Sequence, residues 1–285
     1  MQTLFSSVPK REYALQNINL SFGHVPPTSS AEQQKNVNDG VIVLDGRSAS
    51  GKSTILRLLA GIESPTQGGI LINGKEIIQV DNEGKRKVPT WMKVGLSNTY
   101  SAQAVAQPVI LESKPDFDKS QTVIQRIVQM GSEAADYYCP AASSERRKTL
   151  IQKLAIEFAQ LLTITKEQQS CRPVDLSPSS QFLFAIACGC MVSIAPAVAA
   201  IDSMDINSTT DQGVSIPYPI ILFDELFDTE ASSTVDKCKA GILNLVDRGG
   251  VVISVTHRPV YFTEMSRRCV TLSGGKILTD RRTMT

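Results

Sequence analysis

The segment from Gly46 to Ser53 places the strongest constraint on the fold of this chain. Its residues, GRSASGKS, fit the pattern G-x-x-x-x-G-K-[ST]. An apolar, β-branched run at 41–45 precedes it, and isoleucines and leucines at helical spacing follow it at 53–62. Glycines let backbone N–H groups turn inward around phosphate oxygens, and the amino end of a helix adds its positive dipole. We therefore predict a strand, a phosphate-binding loop and a helix, in which Lys52 reaches the β- and γ-phosphates and the Ser53 hydroxyl binds Mg²⁺.

Composition excludes several other kinds of protein. The 285 residues are 42% hydrophobic and 20% charged, which is an ordinary globular composition. The 29 basic and 28 acidic residues give a net charge of +1, without the basic excess typical of proteins that bind nucleic acid through bulk charge. Six scattered cysteines form no C-x-x-C pair, and there are only two histidines. We therefore expect reduced thiols and a metal site built from oxygen ligands.

Two further apolar runs end in residues that carry chemistry. Asp224 and Glu225 follow the run at 220–223, and His257 follows the run at 251–256. Ligands of parallel sheets bind outside the carboxyl ends of the strands, so these side chains are candidates for one site with the phosphate loop. We predict that Asp224 holds magnesium, directly or through water, that Glu225 polarises the attacking water, and that His257 contacts the γ-phosphate. The alternatives are a solvated strand end for the carboxylates and a capping or packing role for His257.

The residues at 182–201 are twenty in a row without a charge, which is long enough to span a bilayer. Small residues, an interior Pro196 and the lack of a flanking basic cluster argue against a span. We predict a fully buried helix instead.

The remaining pattern predicts an α/β fold. It indicates a half-buried strand at 13–22, a hairpin at 70–80 and helices at 144–162 and 232–248. Strands that alternate with helices form a mainly parallel sheet with helices on both faces. The stretch at 93–120 shows no regular pattern.

Together these motifs resemble the nucleotide-binding domain of ATP-binding cassette (ABC) proteins, from about residue 13 to 279. The stretch at 46–77 is similar to that family's phosphate loop, helix and hairpin, ILFDE to its Walker B segment, and VTHRP to its switch-histidine segment. The resemblance implies a P-loop NTPase fold with a mainly parallel sheet, an N-terminal antiparallel β part and a helical subdomain. It implies one domain over 1–285, with the helical subdomain at approximately 108–196 and insertions at approximately 23–39 and 198–218.

The family signature, usually LSGGQ, is predicted at 176–180, where the chain reads LSPSS. A literal LSGG at 272–275 follows the Walker B segment and leads into a short apolar strand, so we interpret it as a hairpin turn. Pro178 and Ser179 replace the glycines that let a backbone approach phosphate closely, and proline also removes an N–H donor. Proline is acceptable in the first turn of a helix. We therefore expect a weakened contact with the partner subunit's nucleotide.

The resemblance assigns the remaining site residues. It implies that Ser177, Ser179 and Ser180 contact the nucleotide of the partner, and that Gln107, with Gln103 as a rival, joins Ser53 and Asp224 around magnesium. Tyr13, or Phe5 in another register, would stack on adenine or simply pack as a strand aromatic. The residues that it implies for nucleotide binding are Gly46, Arg47, Ser48, Ala49, Ser50, Gly51, Lys52, Ser53, Thr54 and Tyr13. The segment LFDTEA at 226–231 lacks the family's usual proline and dimer-loop aspartate.

The function that the resemblance implies is an ATP-binding and ATP-hydrolysing subunit that drives a separate transmembrane subunit of a transporter. It implies ATP and Mg²⁺ as cofactors and a homo- or heterodimer of such domains, with no nucleic-acid partner. The chain would lie in the cytoplasm or inside an organelle, peripheral to a membrane through its partner. The alternatives are a degenerate regulatory ATP-binding module, a soluble ABC ATPase without a transport role, and a P-loop kinase for small molecules.

Overall fold

The computed structural model describes residues 14–22, 41–72, 75–80, 86–87, 106–111, 120–139, 144–201, 216–262 and 264–282. The strands are β1 (Val41–Gly46), β2 (Gly69–Ile72), β3 (Lys75–Val80), β4 (Arg86–Lys87), β5 (Val109–Leu111), β6 (Ile220–Asp224), β7 (Val251–Val255), β8 (Ser266–Ser273) and β9 (Lys276–Arg282). The α-helices are α1 (Lys52–Leu59), α2 (Val123–Tyr138), α3 (Glu145–Leu161), α4 (Lys166–Ser170), α5 (Pro178–Ala200) and α6 (Ser232–Asp247).

The larger sheet has the strand order β5-β6-β7-β1-β8-β9. All neighbouring strands in it are parallel except β8 and β9, which form an antiparallel hairpin. A second, antiparallel sheet has the order β2-β3-β4. The predicted α/β fold with a mainly parallel sheet and an antiparallel part is therefore confirmed. The predicted hairpin at 70–80 is present as β2 and β3.

The central strands are buried on both faces, as continuous apolar runs predict. Val41 and Val43 of β1 pack into a large apolar cluster together with α2, α3, α5 and α6. Ile42 and Leu44, which point to the other face, pack into a second cluster with α1. The alternation fixes the register of β1 and so fixes where the loop after Gly46 begins.

The uncharged segment forms α5, and nearly all of its side chains are buried. In the described part of the chain it is the one helix long and apolar enough to cross a membrane, and 89% of that apolar stretch is buried inside the protein. It packs against α2, α3, α6 and the strands β5 and β6. The interpretation of this segment as a buried core helix is confirmed.

Three elements differ from the sequence prediction. Residues 14–22 form no strand, because Asn17 has a left-handed φ of 54°, although Leu15, Ile18, Leu20 and Phe22 still pack against the second cluster. α2 was not predicted, and it begins with a capping box in which Thr122 and Gln125 satisfy each other's backbone N–H groups. β5 lies in the larger sheet beside β6, within the stretch at 93–120 for which the sequence shows no regular pattern.

The LSGG sequence at 272–275 forms the turn between β8 and β9, as predicted. Gly274 and Gly275 have φ values of 53° and 73°, which glycine adopts without steric cost. The Gly275 N–H donates to the Ser50 carbonyl at 3.3 Å. The turn therefore contacts the phosphate loop through this hydrogen bond.

Candidate functional site

The loop between β1 and α1 holds Lys52 in a fixed position. Its ammonium donates to the carbonyl oxygens of Gly46 at 2.8 Å and Arg47 at 3.1 Å, and the residue is only 6% exposed. Gly46 has a φ of 145°, and a side chain there would meet the Leu272 carbonyl at 2.4 Å. The sequence thus folds into a tight loop around its own lysine, directly before the amino end of α1. Along the loop Arg47, Ser48 and Ala49 are exposed and Ser50 is buried, while Thr54 lies half-buried on α1.

Ser53 and Asp224 are adjacent, although 171 positions separate them in the chain. The Ser53 hydroxyl donates to Asp224 Oδ1 at 2.9 Å. Ser53 is in the first turn of α1 and Asp224 is the last residue of β6, so the predicted meeting of strand ends with the phosphate loop is present. A hydroxyl and a carboxylate are the oxygen ligands that magnesium prefers, and the pair therefore fits that ion.

An open pocket of about 250 Å³ adjoins this pair and is lined by Ser53, Arg57, Asp224 and Glu225. Arg57 was not predicted as a site residue. Its spacing of four from Ser53 on α1 was the available signal, because residues four apart share one face of a helix.

Glu225 and His257 lie in direct contact. His257 Nε2 is 2.9 Å from Glu225 Oε1, and each side chain is roughly half exposed. Glu225 has a left-handed φ of 55° and its N–H donates to the Val255 carbonyl at 3.0 Å. This turn directs the carboxylate across the ends of β6 and β7 towards the histidine.

Asp228 is a site residue that the sequence did not reveal. One carboxylate oxygen accepts from the Thr256 hydroxyl at 2.5 Å and the other accepts from the His257 backbone N–H at 2.7 Å. Ligand-type atoms of Glu225, Asp228 and His257 all lie within 4.8 Å of one another. No motif or spacing signals Asp228, because its partners are 28 and 29 residues away.

The LSPSS segment begins α5, as predicted. Pro178 is the first helical residue, and the Ser177 hydroxyl caps the helix by accepting from the Ser180 N–H at 3.3 Å. Ser179 and Ser180 are each only 7% exposed, and the Ser180 hydroxyl accepts from Gln168 Nε2 at 3.0 Å. Of the three serines assigned to a partner's nucleotide, Ser177 is exposed and the other two are buried, with their hydroxyls 3.2 and 2.9 Å from the Ser177 hydroxyl.

Gln107 does not lie at this site, which corrects its assignment to the metal. It precedes β5, whose Val109 pairs in parallel with Ile221 of β6. Gln107 is therefore level with the amino end of β6, and Asp224 is at the other end, about 16 Å away at 3.3 Å per residue. The Gln107 backbone instead bonds to Ser193 of α5 in both directions, at 2.7 and 2.6 Å. Tyr13, Phe5 and Gln103 lie outside the described residues.

Comparison with known proteins decides the family. The family model described as "ABC transporter" matches residues 35–202, more than half of the chain. The chain belongs to the ABC transporter family. The resemblance inferred from the motifs is thereby confirmed.

Relatives and structures of ABC proteins agree with this membership. The chain is 32% identical over 135 residues to the methionine import ATP-binding protein MetN of Brucella abortus, covering 43% of this chain and 36% of the relative. It is 27% identical over 245 residues to the histidine/lysine/arginine/ornithine transport ATP-binding protein HisP of Escherichia coli, covering 86% and 79%. The match thus spans little more than a third of the length of MetN.

Solved ABC structures share the fold. The ATP-binding cassette MJ0796, solved as a dimer with ADP and phosphate, aligns with a TM-score of 0.55 at 18% identity over 96% of this chain and 92% of its own. CbiO1 of Clostridium perfringens, part of an ABC transporter complex, aligns with a TM-score of 0.56 at 15% identity over 94% and 82%. At these identities the structures show the P-loop cassette fold alone.

Proposed function

We propose that this chain is the ATP-binding and ATP-hydrolysing subunit of an ABC transporter and works with a separate transmembrane subunit. The observation that carries the proposal is the meeting of the phosphate loop with Asp224, Glu225 and His257 at one edge of the sheet. Family membership alone would leave the chemistry open, whereas this arrangement supplies a group for each step of phosphoanhydride hydrolysis.

The residues divide the work as follows. Lys52 exchanges its bonds to the loop carbonyls for phosphate oxygens, and the amino end of α1 adds its dipole. Ser53 and Asp224 would hold Mg²⁺, which neutralises charge on the β- and γ-phosphates when bound. Glu225 accepts a hydrogen bond from the attacking water and orients it. His257 holds the Glu225 carboxylate through Nε2 and faces the γ-phosphate.

Partners follow from the same assignment. The solved MJ0796 cassette is a dimer, and we propose a head-to-tail dimer for this chain in which Ser177 of one subunit faces the nucleotide of the other. The subunit would lie at a membrane surface through its partner, in the cytoplasm or inside an organelle. MetN is a methionine import protein and HisP a histidine/lysine/arginine/ornithine transport protein, so the proposal extends to transport but to no particular solute.

Trapping of the dimer tests this assignment. Glu225→Gln keeps the side-chain size but removes the group that orients water, so we expect it to bind Mg-ATP and to accumulate as a dimer in size-exclusion chromatography with light scattering. Glu157→Gln, on the surface of α3, is the matched control. It should exchange between monomer and dimer like the unmodified chain. Lys52→Ala should abolish the ATP-dependent dimer. Monomers of Glu225→Gln at saturating Mg-ATP would contradict the proposal.

A regulatory module that binds ATP with little turnover is the second candidate. Three features favour this regulatory candidate: the burial of Ser179 and Ser180, the proline at the start of α5, and the altered segment at 226–231. We expect weak hydrolysis, because the signature segment offers fewer donors to the partner's γ-phosphate than a glycine-rich one. Steady phosphate release by the unmodified chain, abolished in Lys52→Ala, would exclude the inactive candidate, and no release above the Lys52→Ala level would favour it.

A further inference from the structure

The turns that follow β6 and β7 are joined by one carboxylate, that of Asp228. Its two oxygens accept from the Thr256 hydroxyl and from the His257 backbone N–H, at 2.5 and 2.7 Å. Asp224 and Val255 are paired at the ends of the two strands, so both turns start from the same edge of the sheet. Asp228 lies in the segment where the chain departs from the family's usual sequence.

Thr256 extends this link along the chain. It is 1% exposed, and while its hydroxyl donates to Asp228 it accepts from the Arg258 N–H at 2.9 Å. The backbone on both sides of His257 is therefore held by one connected set of hydrogen bonds that ends at Asp228. Hydrogen bonds that are connected in this way favour a single geometry.

The side chain of His257 is only half-buried. It is 46% exposed, and Glu225 is its ion-pair partner in the described part of the chain. We propose that Asp228 is a positioning residue that fixes the His257 backbone and thereby keeps the imidazole against Glu225 during turnover. This inference rests on the proposed ATP hydrolysis, in which Glu225 and His257 act on the γ-phosphate.

A carboxylate is required for this role because both donors must be satisfied at once. An asparagine at the same place has a single acceptor oxygen, and its amide group would face one of the two donors. The fold of the turns does not depend on Asp228 alone. Tyr261 donates to the Glu230 carbonyl at 3.3 Å, and Arg258 donates to the Tyr261 hydroxyl at 2.7 Å, which forms a second bridge between the same turns. Asp228→Asn should therefore fold.

Steady-state kinetics of the full chain with Mg-ATP give the first test. We expect Asp228→Asn to lower kcat by about 10-fold to 100-fold, since small displacements of catalytic groups have effects of this order. KM for ATP should stay within about twofold, because the phosphate loop is untouched. Thr256→Val should also lower kcat, and Thr256→Ser, which keeps the hydroxyl, should restore it. Asp247→Asn, an exposed carboxylate at the end of α6, is the matched control and should leave both constants unchanged.

Selective labelling gives a second test that does not depend on turnover. The chain contains two histidines, so ¹⁵N-histidine labelling yields two backbone amide signals, one of them from His257. In Asp228→Asn the His257 amide should shift and exchange with solvent at least about 10-fold faster, as expected when a bond to a charged acceptor is lost.

The outcomes separate the two proposals. Unchanged kcat in Asp228→Asn, or unchanged exchange of the His257 amide, overturns the role of Asp228 and leaves ATP hydrolysis standing. A chain that hydrolyses no ATP overturns the proposed function, and the His257 amide then decides whether Asp228 positions that residue. If circular dichroism shows that Asp228→Asn is unfolded, the kcat values of Thr256→Val and Thr256→Ser provide the test instead. Equal kcat in those two variants overturns the positioning role of Asp228.

Discussion

Ser193 joins three elements at the edge of the sheet opposite the candidate site, and its replacement tests how the fold supports β6. The residue is fully buried in α5. Its hydroxyl donates to the Gln107 carbonyl at 2.6 Å and accepts from the Ile220 N–H at 2.9 Å. Gln107 leads into β5 and Ile220 begins β6, so one hydroxyl fixes the start of both strands relative to the helix.

The expected effect of Ser193→Ala follows from these contacts. A buried backbone group that loses its partner costs about 1–3 kcal/mol, and the lower part of that range, about 1–2 kcal/mol, applies here because Ile220 is half-buried and Gln107 is exposed. The higher helix propensity of alanine returns about 0.5 kcal/mol. Two groups at about 1–2 kcal/mol each, less the helix-propensity gain, give an expected fall in the free energy of unfolding of about 1.5–3.5 kcal/mol. This is a large fraction of the stability of an ordinary domain.

Urea unfolding followed by circular dichroism measures the change as a lower midpoint at constant m-value. Ser132→Ala on α2 is the matched control, because that hydroxyl only bonds back to the Val128 carbonyl of its own helix at 3.1 Å. Its removal should be neutral or slightly stabilising. If Ser193→Ala unfolds at the same urea concentration as Ser132→Ala, the hydroxyl does not hold the strands, and the reasoning is refuted.

Three further predictions concern separate parts of the chain. Ala49 has a left-handed φ of 62°, so Ala49→Gly should raise the free energy of unfolding by about 0.5 kcal/mol in urea titrations. The backbone strain that is relieved exceeds the greater entropic cost of ordering a glycine on folding. The hydrogen bond from the Arg268 guanidinium lowers the pKa of Asp280 in the folded chain. The stability that the ionised carboxylate adds is therefore present above its ordinary pKa of 3.8 and is lost as the pH falls through the lower pKa of the folded state. Below that pH the urea midpoints of the unmodified chain and Asp280→Asn should converge. Burial raises the pKa of Cys188 to about 12, so iodoacetamide with peptide mapping should label exposed Cys171 and spare Cys188 in the native chain.

The local parts of the site could be predicted from sequence because each is encoded within a few residues. The phosphate loop, the acidic pair after β6 and the histidine after β7 each follow an apolar run, and parallel strands bring their ends to one edge. The buried helix α5 was also predictable. A long segment without charges is either a membrane-spanning helix or a buried core helix, and the lack of flanking basic residues disfavours the membrane span.

The incorrect or missing predictions depend on contacts between distant residues. Gln107 was assigned to the metal by its type, yet the register of β5 against β6 places it at the wrong end of the sheet. Burial of Ser179 and Ser180 depends on how α5 packs, which LSPSS alone does not reveal. Asp228 has no sequence signal at all, because a carboxylate in a turn is ordinary until its two donors are located.

Strand β6 is fixed at its two ends by different means, and this separates stability from chemistry. At its amino end the buried Ser193 accepts a hydrogen bond from the N–H of Ile220, which is half-buried. At its carboxyl end Asp228 bonds to residues of the neighbouring turn, where a second bridge through Tyr261 maintains the fold. Ile220 and Asp224 are four residues apart, about 13 Å along the strand. Loss at the core end therefore lowers the free energy of unfolding and leaves the arrangement of Glu225 and His257 intact in the molecules that remain folded, whereas loss at the site end changes turnover in a protein of nearly normal stability.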